Sequence, residues 1–549
     1  MPARRSADFL CSWPKNLLGF ILLLAAFALP AWEQEQTPTA PPPQVGASPS
    51  QPSPAQEPPG PSTPPSPLQP APSSQQQVPG TGIAVQQQSP SGQPGSGEQS
   101  KPAGPITKQQ EKELFRSVNQ ILEFASTDTG LPIRHKVKRK LITRQAVAKY
   151  VEDRMKEDKD TQRLERSEAV LIKFGLLPPN YDLHREYLRL LQEQVAAFYD
   201  PKSKTVNLLD WVPPDQQKPV LAHELTHALQ DQYIGLDKWE LAGGNENDAP
   251  LPDNQEEVVE EAQAAREALA EGQAMIVFID YSLAPLGMNV VKVPEAVDTI
   301  RANMGDSPES PIFSAAPMYL RESMLMPYTF GTEFVRDVLT SRGKDAAFAG
   351  LLEKPPVDTR QVMEPETYLK GETVAPLKVP DLDKLVGSNY ERYDFGGIGE
   401  FDVYLLAKLY APEKNAKDYY SNWRGGYYLV VHAKGAPSDE VALLYMSRWD
   451  APEAAQAFAT MYEDYVPNRY PRWSKEESTP KTHTTADAIS TWWEGPDTAR
   501  VQILQDKSEL LILEGFDQSA AERLSRALLH PDTSSDATGH SSTETSHAN

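Results

Sequence analysis

The chain has 549 residues, 39% of them hydrophobic, and a formal net charge of −23, which indicates an acidic protein able to bury at least one large core. The negative charge argues against a nucleic-acid partner, because phosphate binding requires clustered Lys and Arg and no such stripe is present. Cys11 is the single cysteine, so the chain has no internal disulfide and a metal site must use His and carboxylate ligands.

The first 32 residues have the order of a secretory signal peptide. Arg4, Arg5 and Lys15 precede an apolar run at residues 17–32, and alanines near its end offer cleavage positions. The same run could instead stay as a short signal anchor in the membrane. We therefore expect an exported protein that is either secreted or attached to a membrane by its N-terminus.

Composition divides the remainder of the chain into four segments. Residues 33–106 are rich in Pro, Gln, Ser and Gly, which cannot bury enough apolar surface to offset the entropy of ordering, so we predict a disordered linker. Residues 531–549 are predicted to form a disordered tail. Between them we expect an α+β fold, with a mostly helical domain at residues 107–380 and a smaller α+β domain at residues 381–530.

The predicted elements of the helical domain follow from apolar periodicity and turn residues. Its helices are expected at residues 106–124, 143–158, 183–194, 217–233, 256–281 and 327–340. Residues 195–209 contain two β-rich runs around a turn with proline, which predicts a β-hairpin just before the fourth helix. In the second domain, strands are expected at residues 426–434, 440–449, 500–504 and 510–514, and helices at residues 452–465 and 519–529.

The helix predicted at residues 217–233 carries the motif His223-Glu224-Leu225-Thr226-His227. Residues four apart lie on one face of a helix, so His223 and His227 can direct their imidazole nitrogens at one zinc ion. Glu224 is placed to take a proton from a water molecule that attacks a carbonyl. The motif predicts a hydrolytic zinc site, and the alternative is two ordinary histidines on a helix surface.

A catalytic zinc needs a third protein ligand. The longer H-E-x-x-H-x-x-G-x-x-H pattern is absent, since Gln230 and Tyr233 stand where its glycine and third histidine would be, so we expect a carboxylate. Glu246 lies in a loop that would hold a metal loosely, whereas Glu267 and Glu271 lie on the next long helix. One of these two could bind zinc while the other orients a histidine, and a solvated helix face is the alternative for each.

The motif followed by Glu271-Gly272-Gln273-Ala274 resembles the gluzincin clan of zinc metallopeptidases, in particular the E-G-x-A element of the zinc aminopeptidases. The resemblance implies that Glu271 is the third ligand, with Glu267 in reserve. Pro327-Tyr328-Thr329-Phe330-Gly331 is similar to the P-Y-x-x-G element, which implies that Tyr328 is an oxyanion donor. Packing of the Tyr328 ring is the alternative. The resemblance covers residues 195–340.

The hairpin at residues 195–209 lacks the G-x-M-E-N stretch with which those aminopeptidases bind a free amine, so exopeptidase specificity is not expected. Its edge strand could pair with an extended peptide or could be an ordinary edge. We predict an exported zinc endopeptidase with a peptide or protein substrate. The alternatives are a non-hydrolytic zinc-binding envelope protein that acts as a binding module, and an enzyme that cleaves only itself or one dedicated partner. Oligomeric state is not predicted.

Overall fold

The computed structural model describes residues 105–529, apart from residues 158–159, 196, 242–252, 305–309, 436–439, 478, 485–487 and 496–499. The predicted signal peptide or anchor, the predicted linker up to residue 104, Glu246 and the predicted C-terminal tail lie outside the described residues. In the part of the chain that is described, no helix has both the length and the apolarity needed to cross a membrane.

The fold is mixed α+β, with a helical region followed by a C-terminal antiparallel sheet. The helices of the first region are α1 (Lys108–Thr129), α2 (Arg144–Glu157), α3 (Asp160–Lys173), α4 (Leu183–Gln194), α5 (Pro214–Ile234), α6 (Leu236–Glu240), α7 (Asp253–Leu283), α8 (Glu295–Asn303), α9 (Pro311–Ala315), α10 (Met318–Arg342), α11 (Leu351–Glu353), α12 (Thr359–Met363) and α13 (Pro365–Lys370). A 3-10 turn (Ala284–Leu286) follows α7, and a π-helical turn (Ala346–Gly350) precedes α11.

A small sheet lies within the helical region. Its strands are β1 (Lys138–Ile142), β2 (Phe198–Asp200) and β3 (Thr205–Leu209), in the order β1-β3-β2. Strands β2 and β3 form the antiparallel hairpin that was predicted at residues 195–209. Strand β1 was not predicted, because its basic first residues are exposed and read as a loop; its backbone pairs in parallel with β3.

The C-terminal sheet has seven strands in the order β4-β5-β6-β10-β9-β8-β7, and each neighbouring pair is antiparallel. The strands are β4 (Tyr390–Gly397), β5 (Trp423–Ala433), β6 (Val441–Trp449), β7 (Lys481–Thr484), β8 (Ala488–Glu494), β9 (Arg500–Asp506) and β10 (Glu509–Glu514). The accompanying helices are α14 (Leu382–Val386), α15 (Glu400–Tyr410), α16 (Lys417–Tyr420), α17 (Pro452–Arg469) and α18 (Gln518–Leu529). Strands β4, β7 and β8 were not predicted, since charged, glycine or polar residues interrupt their apolar alternation.

One face of this sheet shares a hydrophobic core with the helical region. Phe174, directly after α3, makes edge-to-face contacts with Tyr428 of β5 and Tyr445 of β6, with ring centroids 6.4 and 5.8 Å apart. These rings belong to a core that includes Leu114 of α1 and Ile512 of β10. A separate core, which includes side chains of α14 and α18, fills the other face of the sheet.

Helix α5 is buried along most of its length. Pro214 occupies its first turn, where a missing backbone N–H costs nothing, and Gly235 ends it with a φ of 76°. Every side chain from Val220 to Asp231 is buried, so neighbouring elements surround the middle of the helix. The structure thus confirms the helix predicted at residues 217–233.

The prediction that a helix begins at Pro327 is wrong. Proline is favoured in the first turn of a helix, yet α10 begins nine residues earlier, at Met318. Leu320 and Met324, which precede the proline on α10, are buried in the core. The free energy gained from this burial outweighs the loss of one backbone hydrogen bond at Pro327.

Helices α7 and α10 cross in close contact at two glycines. A Cβ atom on Gly272 would lie 2.2 Å from the carbonyl oxygen of Gly331, and a Cβ atom on Gly331 would lie 2.0 Å from the carbonyl oxygen of Ala268. Real Cβ atoms do not approach so closely, so this crossing requires glycine on both helices. Glu271 and Tyr328 are thereby held beside the crossing, on α7 and α10 respectively.

We expect Gly272→Ala to destabilise the protein by at least about 2 kcal/mol, because the new methyl group must separate two helix backbones. The measurement is the midpoint of urea unfolding of the metal-free protein. Thr340→Ala, at an exposed position of α10, is the control and should change stability by less than about 0.5 kcal/mol. Equal midpoints for the wild-type and Gly272→Ala proteins would contradict the crossing.

Candidate metal centre

Three helices bring the predicted site residues together. His223, Glu224 and His227 lie on α5, Glu271 lies on α7 and Tyr328 lies on α10. The two histidines and Glu224 are 0% exposed, Glu271 is 1% exposed and Tyr328 is 4% exposed. The side chains therefore form one buried cluster in the core of the helical region.

The ligand atoms of His223, His227 and Glu271 converge. The two histidine Nε2 atoms are 3.0 Å apart, and Glu271 Oε2 lies 3.0 Å from His223 Nε2 and 3.4 Å from His227 Nε2. Ligands at the usual zinc distances in a tetrahedral site are about 3.3 Å from one another. The three atoms thus already have the spacing of three corners of a tetrahedral site, and the group could hold a metal ion.

Burial keeps both imidazoles neutral. Desolvation lowers the pKa of His223 to about 4, although contact with Glu271 opposes the shift. Desolvation also lowers the pKa of His227 to about 3, against a hydrogen bond with Gln230. A metal ligand must offer a nitrogen lone pair, so two neutral imidazoles suit metal binding over the whole neutral range.

Glu271 supplies the carboxyl oxygen of the group. Burial raises the pKa of its carboxyl group, while contacts with His223 and Tyr328 oppose the rise. Glu224 lies close enough for the charge of Glu271 to raise its pKa as well, in addition to burial. No Lys or Arg of the described residues is among the charges that shift the pKa of either carboxyl group. The desolvation cost of these two buried groups is one that a bound divalent ion would offset.

Glu267, the reserve candidate for third ligand, does not belong to the group of converging ligand atoms. It lies one helical turn before Glu271 on α7, and burial together with the charge of Glu271 raises its pKa to about 8. Burial, followed by the charges of Glu267 and Glu271, raises the pKa of Glu240 on α6. The third candidate, Glu246, lies outside the described residues.

Glu224 is held by the backbone of the hairpin. The N–H of Tyr199 in β2 donates to Glu224 Oε2 at 2.7 Å, and Glu224 Oε1 has no hydrogen-bond partner among the described residues. The Tyr199 hydroxyl donates to Asp231 on α5 at 2.7 Å, as does the ammonium group of Lys204 in the hairpin turn. The hairpin is thus anchored to the motif helix, with one oxygen of Glu224 occupied and the other available.

Tyr328 lies beside the first histidine. The ring centroids of Tyr328 and His223 are 6.2 Å apart, and burial and the charges of Glu271 and Glu224 raise the pKa of the tyrosine hydroxyl. The hydroxyl therefore stays protonated and can donate a hydrogen bond. Tyr199 and Asp231 were missed as site residues, because a backbone N–H and a lysine-bound carboxylate have no recognisable spacing in the sequence.

We expect Glu271→Gln to weaken zinc binding by more than about 100-fold, which exceeds the usual cost of removing an outer partner of a ligand. Glu267→Gln is the matched control, since it changes a half-buried glutamate on the same helix and leaves the three converging atoms in place. The measurement is the zinc dissociation constant from competition with a chelator of known affinity. Equal losses in the two variants, or a larger loss in Glu267→Gln, would show that Glu271 is not the ligand.

Comparison with known proteins concerns only the C-terminal region. A family model described as a domain of unknown function (DUF8575) matches residues 389–525, which include all seven strands of the larger sheet and none of the candidate metal group. No curated protein matches the chain, and no solved structure does.

Proposed function

We propose that the chain is an exported zinc metallopeptidase of the gluzincin type that hydrolyses internal peptide bonds. The proposal depends on one observation: ligand atoms of His223, His227 and Glu271 lie within 3.4 Å of one another beside a Glu224 oxygen that has no described partner. In this proposal the first three residues hold zinc and Glu224 is the general base.

The ligand set supports zinc and a catalytic role for it. Two imidazole nitrogens and one carboxylate oxygen form a ligand set typical of catalytic zinc, which keeps its fourth position for water or substrate. A structural zinc is closed by four protein ligands, whereas the converging group has three members among the described residues. This difference favours the peptidase over the non-hydrolytic binding module.

The two oxygens of Glu224 suit two different tasks. When bound, zinc would lower the pKa of a coordinated water to about 7 and polarise the substrate carbonyl. Glu224 Oε2 is fixed by the N–H of Tyr199, which leaves Oε1 to accept the proton of the attacking water and to pass it to the leaving amine. The Tyr328 hydroxyl, on α10, would donate to the oxygen on which negative charge develops.

The hairpin offers an approach for an extended substrate. Strand β2 is at the edge of the small sheet, and its Tyr199 contacts Glu224 directly. A peptide that pairs with β2 as an added strand would pass beside Glu224, as an endopeptidase substrate must. Because His223, Glu224 and His227 are 0% exposed, neighbouring elements must move to admit a substrate. The closed arrangement excludes water and strengthens the electrostatic contacts within the site.

We expect Glu224→Gln to retain zinc and to lose hydrolysis of an unfolded protein substrate by at least about 100-fold, since it removes the proton acceptor without removing a ligand. Zinc content and the rate of cleavage of reduced, denatured casein are the two measurements. Glu267→Gln, which leaves the motif intact, should cleave at close to the wild-type rate. Unchanged cleavage by Glu224→Gln would refute the mechanism, and a wild-type protein that binds zinc but cleaves nothing would favour the binding module.

We expect Tyr328→Phe to lower kcat by about 100- to 1000-fold with little change in KM, because the hydroxyl acts on charge that develops only in the transition state. Steady-state kinetics with an internally quenched peptide measure both constants. Tyr319→Phe is the control, as Tyr319 is a buried tyrosine of the same helix that lies nine residues before Tyr328. Equal kcat values for the two variants would assign Tyr328 to packing.

A further inference from the structure

A pair of buried glutamines connects the second histidine of the motif to a neighbouring helix. Gln230 Oε1 lies 2.8 Å from His227 Nδ1. Gln230 Nε2 donates to Gln273 Oε1 at 2.9 Å and to the carbonyl oxygen of Ala270 at 3.0 Å. Both glutamines and His227 are 0% exposed, so no solvent competes for these hydrogen bonds.

The far end of this pair is attached to the π-helical turn before α11. Gln273 Nε2 donates to the carbonyl oxygens of Ala347 and Phe348, at 2.7 and 3.0 Å. π-helical turns often occur at functional sites. Here the turn presents two carbonyl groups to one amide, and these two acceptors fix which end of the Gln273 amide faces them.

The order of donors and acceptors determines the tautomer of His227. Carbonyl oxygens only accept, so the Gln273 nitrogen must face Ala347 and Phe348, and its oxygen must face Gln230. The Gln230 nitrogen must then donate to that oxygen, which turns the Gln230 oxygen towards His227. The hydrogen of the imidazole therefore lies on Nδ1, and Nε2 keeps its lone pair for the metal.

The first histidine is held differently. His223 Nδ1 has no hydrogen-bond partner among the described residues. The two histidines of the motif are thus not equivalent, although their spacing in the sequence makes them look alike. Gln273 also follows Glu271 by two residues, so α7 supplies both the third ligand and the second glutamine.

We propose that Gln230 and Gln273 are positioning residues that hold His227 in the tautomer with hydrogen on Nδ1 and thereby set the zinc affinity of the site. The proposal rests on the metal site of the proposed function and not on hydrolysis. Gln273 acts only through Gln230, and Gln230 acts only through His227. Loss of a residue that hydrogen-bonds to a metal ligand typically weakens metal binding by about 10- to 100-fold. We expect a loss of zinc affinity in that range when the hydrogen bond to His227 is removed.

A double-mutant cycle on the full-length protein tests this order of action. Zinc dissociation constants are measured by chelator competition for the wild type, Gln230→Met, Gln273→Met and the double variant. We expect Gln230→Met to weaken binding by about 10- to 100-fold and Gln273→Met by about tenfold. The double variant should match Gln230→Met, since Gln273 has no other route to the metal. Multiplied effects in the double variant, or no effect of either single variant, would overturn the proposal.

One further variant and one spectroscopic measurement separate positioning from loss of structure. Gln263→Met is the control: Gln263 is a buried glutamine on α7 that donates to the carbonyl oxygen of Leu241 at 3.3 Å, and its loss should change zinc affinity by less than about twofold. If Gln230→Met lowers the urea midpoint of the metal-free protein, the tautomer of His227 is measured directly from its ring ¹⁵N chemical shifts in the metal-free wild-type protein. Hydrogen on Nδ1 supports the proposal, and hydrogen on Nε2 contradicts it.

The outcomes also separate this proposal from the peptidase. If the wild-type protein binds zinc and the double-mutant cycle gives the expected affinities, but no peptide is cleaved, the proposed hydrolysis is wrong and the role of the glutamine pair stands. A protein that cleaves peptides but shows independent effects of Gln230 and Gln273 retains the hydrolysis and overturns the pair. A wild-type protein that binds no zinc overturns both.

Discussion

The contact between α7 and α10 at Gly272 and Gly331 is the constraint on which the candidate site depends. Two helix backbones approach so closely there that neither position has room for a Cβ atom. The approach sets the rotation of α7, and with it the direction in which Glu271 faces α5. It also places Tyr328 beside His223. In the two motifs that resemble the gluzincin pattern, the glycines therefore have a packing role that is separate from the chemistry of their neighbours.

The site concentrates ionisable groups where water is excluded. His223 and His227 are neutral because burial lowers their pKa values, while burial raises those of Glu224 and Glu271, and the charge of Glu271 adds to the rise at Glu224. Such an arrangement is costly unless a cation is present, since charged carboxylates lose their hydration. A divalent ion would use the neutral nitrogens as ligands and compensate the carboxylate charge. The same residues thus suit metal binding both by geometry and by electrostatics.

The C-terminal sheet supports the helical region and does not contribute to the metal group. Its shared core with the first region includes the contacts of Phe174 with Tyr428 and Tyr445. The match to a domain of unknown function covers this sheet and excludes α5, α7 and α10. The two regions therefore share one hydrophobic core, but the candidate metal ligands all belong to the helical region.

The sequence by itself determined the features that depend on local geometry. The spacing of His223 and His227 puts both on one helical face, and proline and glycine mark the ends of α5, because helix periodicity and backbone sterics act over a few residues. By spacing alone Glu267 and Glu271 were equivalent, since residues four apart share a face. The resemblance to gluzincins favoured Glu271, and helix packing decided which of the two carboxylates joins the histidines.

Only the tertiary structure revealed the partners that hold the site in place. The backbone N–H of Tyr199 on Glu224 and the two glutamine amides behind His227 join elements 25 to 43 residues apart. In the sequence, Gln230 was notable only because it stands where the longer H-E-x-x-H-x-x-G-x-x-H pattern has a glycine. Hydrogen bonds between distant segments depend on how helices pack and rotate, and a single sequence records the residues but not those rotations.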